Sequence, residues 1–245
     1  MGRLAWIGVM MGTCLVLYQL SEEGEVSAAQ ARPQLTQFAG YEWQIKSSEG
    51  GVGPGPNVFG DEGVSVDSHG RLHLGVAYHG GHWISSELVS ERAFGYGTYS
   101  FTVHETADMD ANAVLGLFTW DDAAPDVRNR ELDIEISRWG DPNEQNGQFA
   151  VNPYSRTGNL ERFSVPRGRV DFSLRWTPGR LECRASAGGK LIRKHVFTEG
   201  IPEPGRAKVR MNLWLYRGFP PLSGRSMDIV IERFRFTPID NKKGN

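Results

Sequence analysis

Apolar residues in this chain recur at every second position over long stretches, and that period restricts the fold more than any other property. It runs through 71-RLHLGVA-77, 98-TYSFTV-103, 114-VLGLFTW-120, 132-LDIEI-136, 170-VDFSLRW-176, 209-VRMNLWL-215 and 228-DIVIERFRFT-237. Glycines, prolines and polar residues separate these segments, as turns between strands require. A period of two puts successive side chains on opposite faces, so each segment has one face for a core and one left over. Helical patterns are scarce. Only short turns around residues 123–126 and 199–203 have a helical composition, and neither carries an amphipathic repeat. Parallel strands need crossovers, usually helical, whereas antiparallel strands do not. The expectation is an all-β sandwich of two stacked antiparallel sheets, curved enough to make one face concave.

The 245 residues divide into a leader, a domain and a tail. Arg3, an apolar run from Leu4 to Leu20 and the acidic 21-SEEGE-25 have the shape of a secretory signal, and Ala29 and Ala31 offer a cleavage site. An uncleaved single-span membrane anchor is the competing reading. Residues 1–31 are therefore assigned to a signal peptide or anchor, 32–240 to one domain and 241–245 to a polar tail, and the protein is expected to be secreted, periplasmic or at the cell surface. Cys14 lies in the leader, which leaves Cys183 as the domain's only cysteine and makes an internal disulfide impossible. Cys183, inside the alternating 181-LECRA-185, reads as a small buried residue. With 27 basic against 29 acidic side chains scattered along the chain, no basic run exists to follow a phosphate backbone, so nucleic acid is not an expected partner.

One alternating segment does something unusual with its outer face. In 130-RELDIEISRWG-140, Leu132, Ile134 and Ile136 point one way and Glu131, Asp133 and Glu135 the other. The two glutamates stand roughly 13 Å apart along an extended strand. On a sheet bent towards them, their side chains can approach the ~5–5.5 Å separation used by retaining glycosidases. Three carboxylates so close cannot all ionise, and that mechanism needs one group protonated and another ionised. A solvated acidic strand and a Ca2+ site are the other readings of the same triplet. Aromatic residues favour the first. Trp120, Trp139 and Trp214 flank or face the acids, Asn212 shares the face of Trp214, and Tyr154 stands near a rim; indoles of this kind stack on sugar rings. Trp176 reads as core, while Trp43 and Trp83 are open. No histidine pair has zinc spacing, and 51-GVGPGP-56 lacks the Lys-Ser/Thr of a phosphate loop; it reads instead as a loop walling one end of a cleft.

The motif ELDIE at 131–135 resembles the catalytic signature of glycoside hydrolase family 16, the group of lichenases and laminarinases. The resemblance takes in 83-WISSELVSERAFGYGTYSFTV-103, 172-FSLRWTPGRLE-182, 211-MNLW-214 and 228-DIVIERFRF-236, and covers roughly residues 38–238. It implies a β-jelly-roll with a substrate cleft, acting as a monomer on internal β-glycosidic bonds of a polysaccharide with retention of configuration. Glu131 would be the nucleophile, Glu135 the general acid/base and Asp133 the residue that tunes them; Asn212 and Trp214 match substrate-contacting positions. The preferred substrate is a β-1,3 or mixed-linkage β-1,3-1,4 glucan. Transglycosylation, a galactan substrate and a non-catalytic carbohydrate-binding jelly roll are the alternatives. No cofactor is implied, with structural Ca2+ the one candidate ion. One departure stands out: after 148-QF-149 the family pattern has asparagine, whereas this chain has Ala150 and reaches Asn152 two residues later.

Overall fold

A computed structural model describes residues 33–105, 109–126 and 130–239. The expected leader, including Cys14, and the polar tail lie outside the described residues. Sixteen strands follow one another: β1 (Leu35–Phe38), β2 (Tyr41–Ile45), β3 (Val58–Phe59), β4 (Val64–Val66), β5 (Leu72–His79), β6 (His82–Ala93), β7 (Gly97–Val103), β8 (Ala113–Trp120), β9 (Leu132–Ser137), β10 (Gly147–Val151), β11 (Leu160–Phe163), β12 (Val170–Thr177), β13 (Arg180–Ala187), β14 (Lys190–Phe197), β15 (Lys208–Leu215) and β16 (Met227–Pro238).

The strands pair in two runs. One reads β11-β10-β9-β8-β15-β6, with β2 also on β6 and β1 on β2; the other reads β5-β16-β7-β12-β13-β14, with β4 on β5. All these pairs are antiparallel, and only the two-residue β3 lies parallel to its neighbour β6. The β5–β6 hairpin turns the corner: the first part of β5 pairs with β16, and its end, Ala77–His79, pairs with β6. Each run turns its apolar face to the other. Leu115, Leu117, Leu132, Ile134, Ile136, Phe149 and Met211 from the first meet Tyr99, Phe101, Phe172, Leu174, Trp176, Cys183 and Phe234 from the second in one core. Burying a leucine or phenylalanine stabilises by about 1.5–3 kcal/mol, so a core of this size holds the domain without a disulfide. Cys183 is free and buried there, and burial pushes its thiol well up.

Two local features depart from the sequence reading. Neither stretch suggested as a helical turn is helical; among the described residues the helical turn is a 3-10 turn at Tyr216–Gly218. Strands β13 and β14 form a hairpin closed by Gly188 and Gly189, both at positive φ, and only a fragment of it was visible in the alternation because charged residues occupy its outer face.

Candidate active site

The core-facing residues of β9 fix the orientation of the acids. Leu132 and Ile134 are fully buried and Ile136 nearly so, which turns Glu131, Asp133 and Glu135 to the opposite face of the first run. Cross-strand register then builds a row through them. Arg162 on β11 stands opposite Gln148 on β10, Gln148 opposite Glu135, Glu135 opposite Gly116 on β8, Gly116 opposite Asn212 on β15, and Asn212 opposite Glu87 on β6. A neighbouring row contains Ala150, Asp133, Phe118 and Arg210. Gly116 is required by close approach, since a Cβ there would lie 2.4 Å from the Asn212 side-chain oxygen. The glycine leaves an open floor between the acid at Glu135 and the amide of Asn212.

Each carboxyl has its own partner. Asn152 donates from Nδ2 to Glu131 Oε2 at 2.6 Å, and its backbone N–H donates to the Glu131 carbonyl at 3.0 Å. Gln148 donates from Nε2 to Glu135 Oε2 at 2.7 Å. The extra residue before Asn152 therefore does not remove it from the site; Ala150 takes the position opposite Asp133, and Asn152 meets Glu131 one step on. Burial dominates the electrostatics. It pushes Glu135 up to about 8, assisted by the charge of Glu131 and opposed by Gln148 and Arg162. Burial likewise pushes Glu131 up to about 7, against the hydrogen bonds from Asn152 and Asp133 and the charge of Arg210. Asp133 is held well above the carboxylate range, by burial first and then by the charges of both glutamates. The hydrogen bond it shares with Glu131 pushes the aspartate further up and draws the glutamate down.

The counter-charges come from other strands. Arg130 and Arg138, the basic residues adjacent in sequence, turn away: Arg130 approaches Asp121 at 3.6 Å and Arg138 donates to the carbonyl of Glu144 at 2.7 Å. Arg162 donates to Gln148 Oε1 at 3.2 Å. Glu87 accepts from Arg210 at 2.8 Å, from Lys46 at 3.0 Å and from Asn212 Nδ2 at 3.3 Å, while Arg210 also reaches Asp122 at 2.5 Å. Sequence reading missed Lys46, Glu87, Arg162 and Arg210. Period two would have found Arg210, which shares the face of Asn212 and Trp214, but Glu87 sits in the polar SSELVSER stretch where no alternation marks a face.

Two contiguous cavities, of about 480 and 690 Å³, share Pro54, the three acids and Trp214 as lining. Trp120, Phe118, Arg210 and Asn212 line the smaller; Trp139, Tyr154, Gln148 and Asn152 line the larger. All five residues predicted to contact substrate thus border the cleft. Trp139 packs edge-on against Trp214 at 6.4 Å and Tyr216 at 5.7 Å, so its indole both closes the loop and forms the cleft wall. Trp43 and Trp176 are core, and Trp83 packs against Tyr78 at the β5–β6 corner. The 51–56 loop does wall the cleft. Lys46 holds the carbonyl of Gly53 at 2.9 Å and Asn57 that of Pro54 at 2.9 Å, which pins the loop beside the acids.

Solved structures show the same arrangement of strands. The fold is that of the lichenase-type β-glucanases. The Bacillus licheniformis β-glucanase superposes with a TM-score of 0.62 at 20% identity, over 80% of this chain and 91% of that one. A Bacteroides ovatus mixed-linkage glucan family 16 protein in complex with a G4G4G3G product gives 0.62 at 15%, over 80% and 94%. A Mycobacterium tuberculosis immunostimulatory antigen and pseudo β-1,3-glucanase gives 0.62 at 16%, over 80% and 90%. The sequence itself matches no family model and no curated protein.

Proposed function

We propose that this chain is a retaining, endo-acting glycoside hydrolase of family 16 that cuts internal bonds of a β-1,3 or mixed-linkage β-1,3-1,4 glucan. The observation that carries the reading is the acidic triplet itself: three carboxyls on one concave face, with a graded hold on their protons, at the junction of two cavities. Fold alone would not suffice, because one neighbour is described as a pseudo-glucanase. A cleft extending to both sides of the acids accommodates sugars before and after the cut bond, which favours attack within a chain. Charge favours a neutral glucan over a sulfated galactan. Each cation lining the two cavities already faces a carboxylate: Lys46 and Arg210 meet Glu87, Arg210 meets Asp122, and Arg162 approaches Glu144 at 3.8 Å.

In this reading Glu135, protonated at neutral pH, gives its proton to the glycosidic oxygen while ionised Glu131 attacks the anomeric carbon. Glu135, now a carboxylate, takes a proton from the water that releases the glycosyl-enzyme. Asp133 keeps its own proton on the hydrogen bond to Glu131, which supports the carboxylate before attack. The cycle draws on side-chain carboxyls alone and calls for no cofactor. Among the described residues no group of three or more His, Cys, Asp or Glu side chains is arranged to hold a metal ion. Export and a monomeric state fit a polymer-degrading enzyme and belong to the same proposal.

Reducing-end release from mixed-linkage glucan, laminarin, agarose and carrageenan tests substrate and activity together. Release from one of the glucans is expected. Glu131→Ala should abolish it, and azide should restore turnover with a glycosyl azide inverted relative to the substrate bond. Wild-type rates in that variant, or binding to glucans with no release by the native protein, would sink the hydrolase reading.

A further inference from the structure

Gln148 is a side chain whose two ends do opposite things. Its Nε2 donates to Glu135 Oε2 at 2.7 Å, and its Oε1 accepts from Arg162 Nη1 at 3.2 Å. The three residues stand opposite one another on β9, β10 and β11, so their order is set by register. An amide in that place can turn over. With the oxygen towards Glu135, it would accept from the protonated acid instead of donating to the carboxylate, and the proton would be held on Oε2. Arg162 forbids the reversed orientation, because a guanidinium has donors only and would face an NH2 group. Arg162 is itself fixed on several sides. Its other nitrogen donates to the carbonyl of Gln145 and approaches Glu144 at 3.8 Å, and its guanidinium stands 5.7 Å from the ring centre of Trp139.

We propose that Arg162 is a positioning residue for the general acid: by holding Gln148 Oε1, it keeps the amide donating to Glu135 Oε2 and leaves Oε1 of Glu135 to exchange a proton with the glycosidic oxygen. The inference rests on the reading of Glu135 as acid/base. It explains why a buried acid with a high proton affinity can still release its proton during reaction. The carboxylate formed in the transition state meets a donor already in place, which needs no reorganisation. Other charged groups do not duplicate this effect. On Glu135's own stretch of chain the charge of Glu131 opposes its ionisation, whereas Asp133, itself pushed well up, adds no opposing charge; Glu144 precedes β10 and approaches Arg162; β8 presents Gly116, and β15 presents Asn212 together with Arg210, whose guanidinium is paired with Glu87 and Asp122.

The test compares Arg162→Met and Arg162→Lys with the native protein by pH–rate profile on the best glucan and by 13C carboxyl NMR titration of Glu135. Arg162→Met should raise the Glu135 titration and the basic limb together by about one pH unit, the joint effect of losing the guanidinium's own attraction and its hold on Gln148, and Gln148→Met, which keeps that charge, must shift the titration in the same direction. It should also lower kcat roughly tenfold with KM changed less. Lys, which can still donate to Gln148 Oε1, should recover most of both. An unmoved titration in Arg162→Met, or a Lys variant no better than Met, overturns the proposal. Should Arg162→Met fail to fold, Gln148→Met removes the same link from its other end and must move the titration the same way. The NMR readout needs no turnover, so a native protein inactive on every glucan would refute the hydrolase reading while the Arg162 link is still judged by Glu135.

Discussion

Gly116→Ala probes the floor of the cleft with one methyl group. The added Cβ would lie 2.4 Å from Asn212 Oδ1 and 3.4 Å from both Asn212 Cγ and Phe118 Cδ1. Ordinary carbon–oxygen contact needs roughly 0.8 Å more than the first of these distances allows. Asn212 has little room to give way: it is 1% exposed, and its Nδ2 bonds Glu87, whose oxygens also hold Lys46 and Arg210. Over-packing of this kind costs about 1–3 kcal/mol, which for a domain of this size lowers Tm by roughly 3–10 °C. The methyl also rises between Glu135 and Asn212, so kcat/KM on the preferred glucan should fall at least tenfold. Adding Asn212→Ala removes the atom that clashes. The double variant should regain much of the lost Tm and none of the activity, a coupling that separate sites would not show. Scanning calorimetry and initial rates on all three proteins decide it. Gly116→Ala with Tm within 1 °C and rates within twofold of native would refute the argument that this row is closely packed.

Activity on glucan should follow a bell in pH centred in the neutral range instead of near pH 4–5. Glu131 must be ionised, so rates rise as pH passes about 7; Glu135 must be protonated, so they fall as pH passes about 8. A kcat/KM profile flat from pH 4 to 6 and falling by pH 7 would contradict both assignments. Glu87→Ala should destabilise the domain by about 3 kcal/mol, because it leaves Lys46 and Arg210 facing each other without their shared carboxylate. Denaturant unfolding measures this, and a midpoint unchanged from native would show that the network adds nothing.

How much of this could be read in the sequence depended on whether a face was uniformly apolar. Segments 114–120, 132–136 and 209–215 alternate cleanly because one side meets the core and the other a cleft, and each is a strand with the expected orientation. Strand β6 hid itself. Ser85, Ser86, Glu87 and Ser90 are all buried, the serines bonding backbone or Asn57 and the glutamate its two cations, so burial there has no apolar signature. Arg162 was equally invisible, since β11 is a short strand at the end of its run and nothing in LERF shows that its arginine reaches an amide on the next strand. Pattern finds the residues that share an element. Partners brought together by cross-strand register need the topology first.

That topology also explains how three acids persist side by side. Neighbouring strands lie about 4.8 Å apart, so Arg162, two strands from Glu135, is roughly 10 Å away in the row. At an effective dielectric of 20 such a pair attracts by about 1.7 kcal/mol, a little over one pKa unit. A charge at Glu131, roughly 13 Å off along the strand, opposes it by a similar amount or somewhat more where the side chains lean together. Glu131 is the stronger of the two, Gln148 and Arg162 together offset it in part, and at the far end Glu87 is paired with Lys46 and Arg210. What remains is burial, the largest influence on all three carboxyls. The proton affinity of Glu135 is therefore governed first by its burial at the floor of the cleft, whose lining includes Trp214 and Pro54. Under the proposed function a sugar chain seated on the row excludes further water and should raise the Glu135 titration, which 13C carboxyl NMR with and without bound oligosaccharide measures.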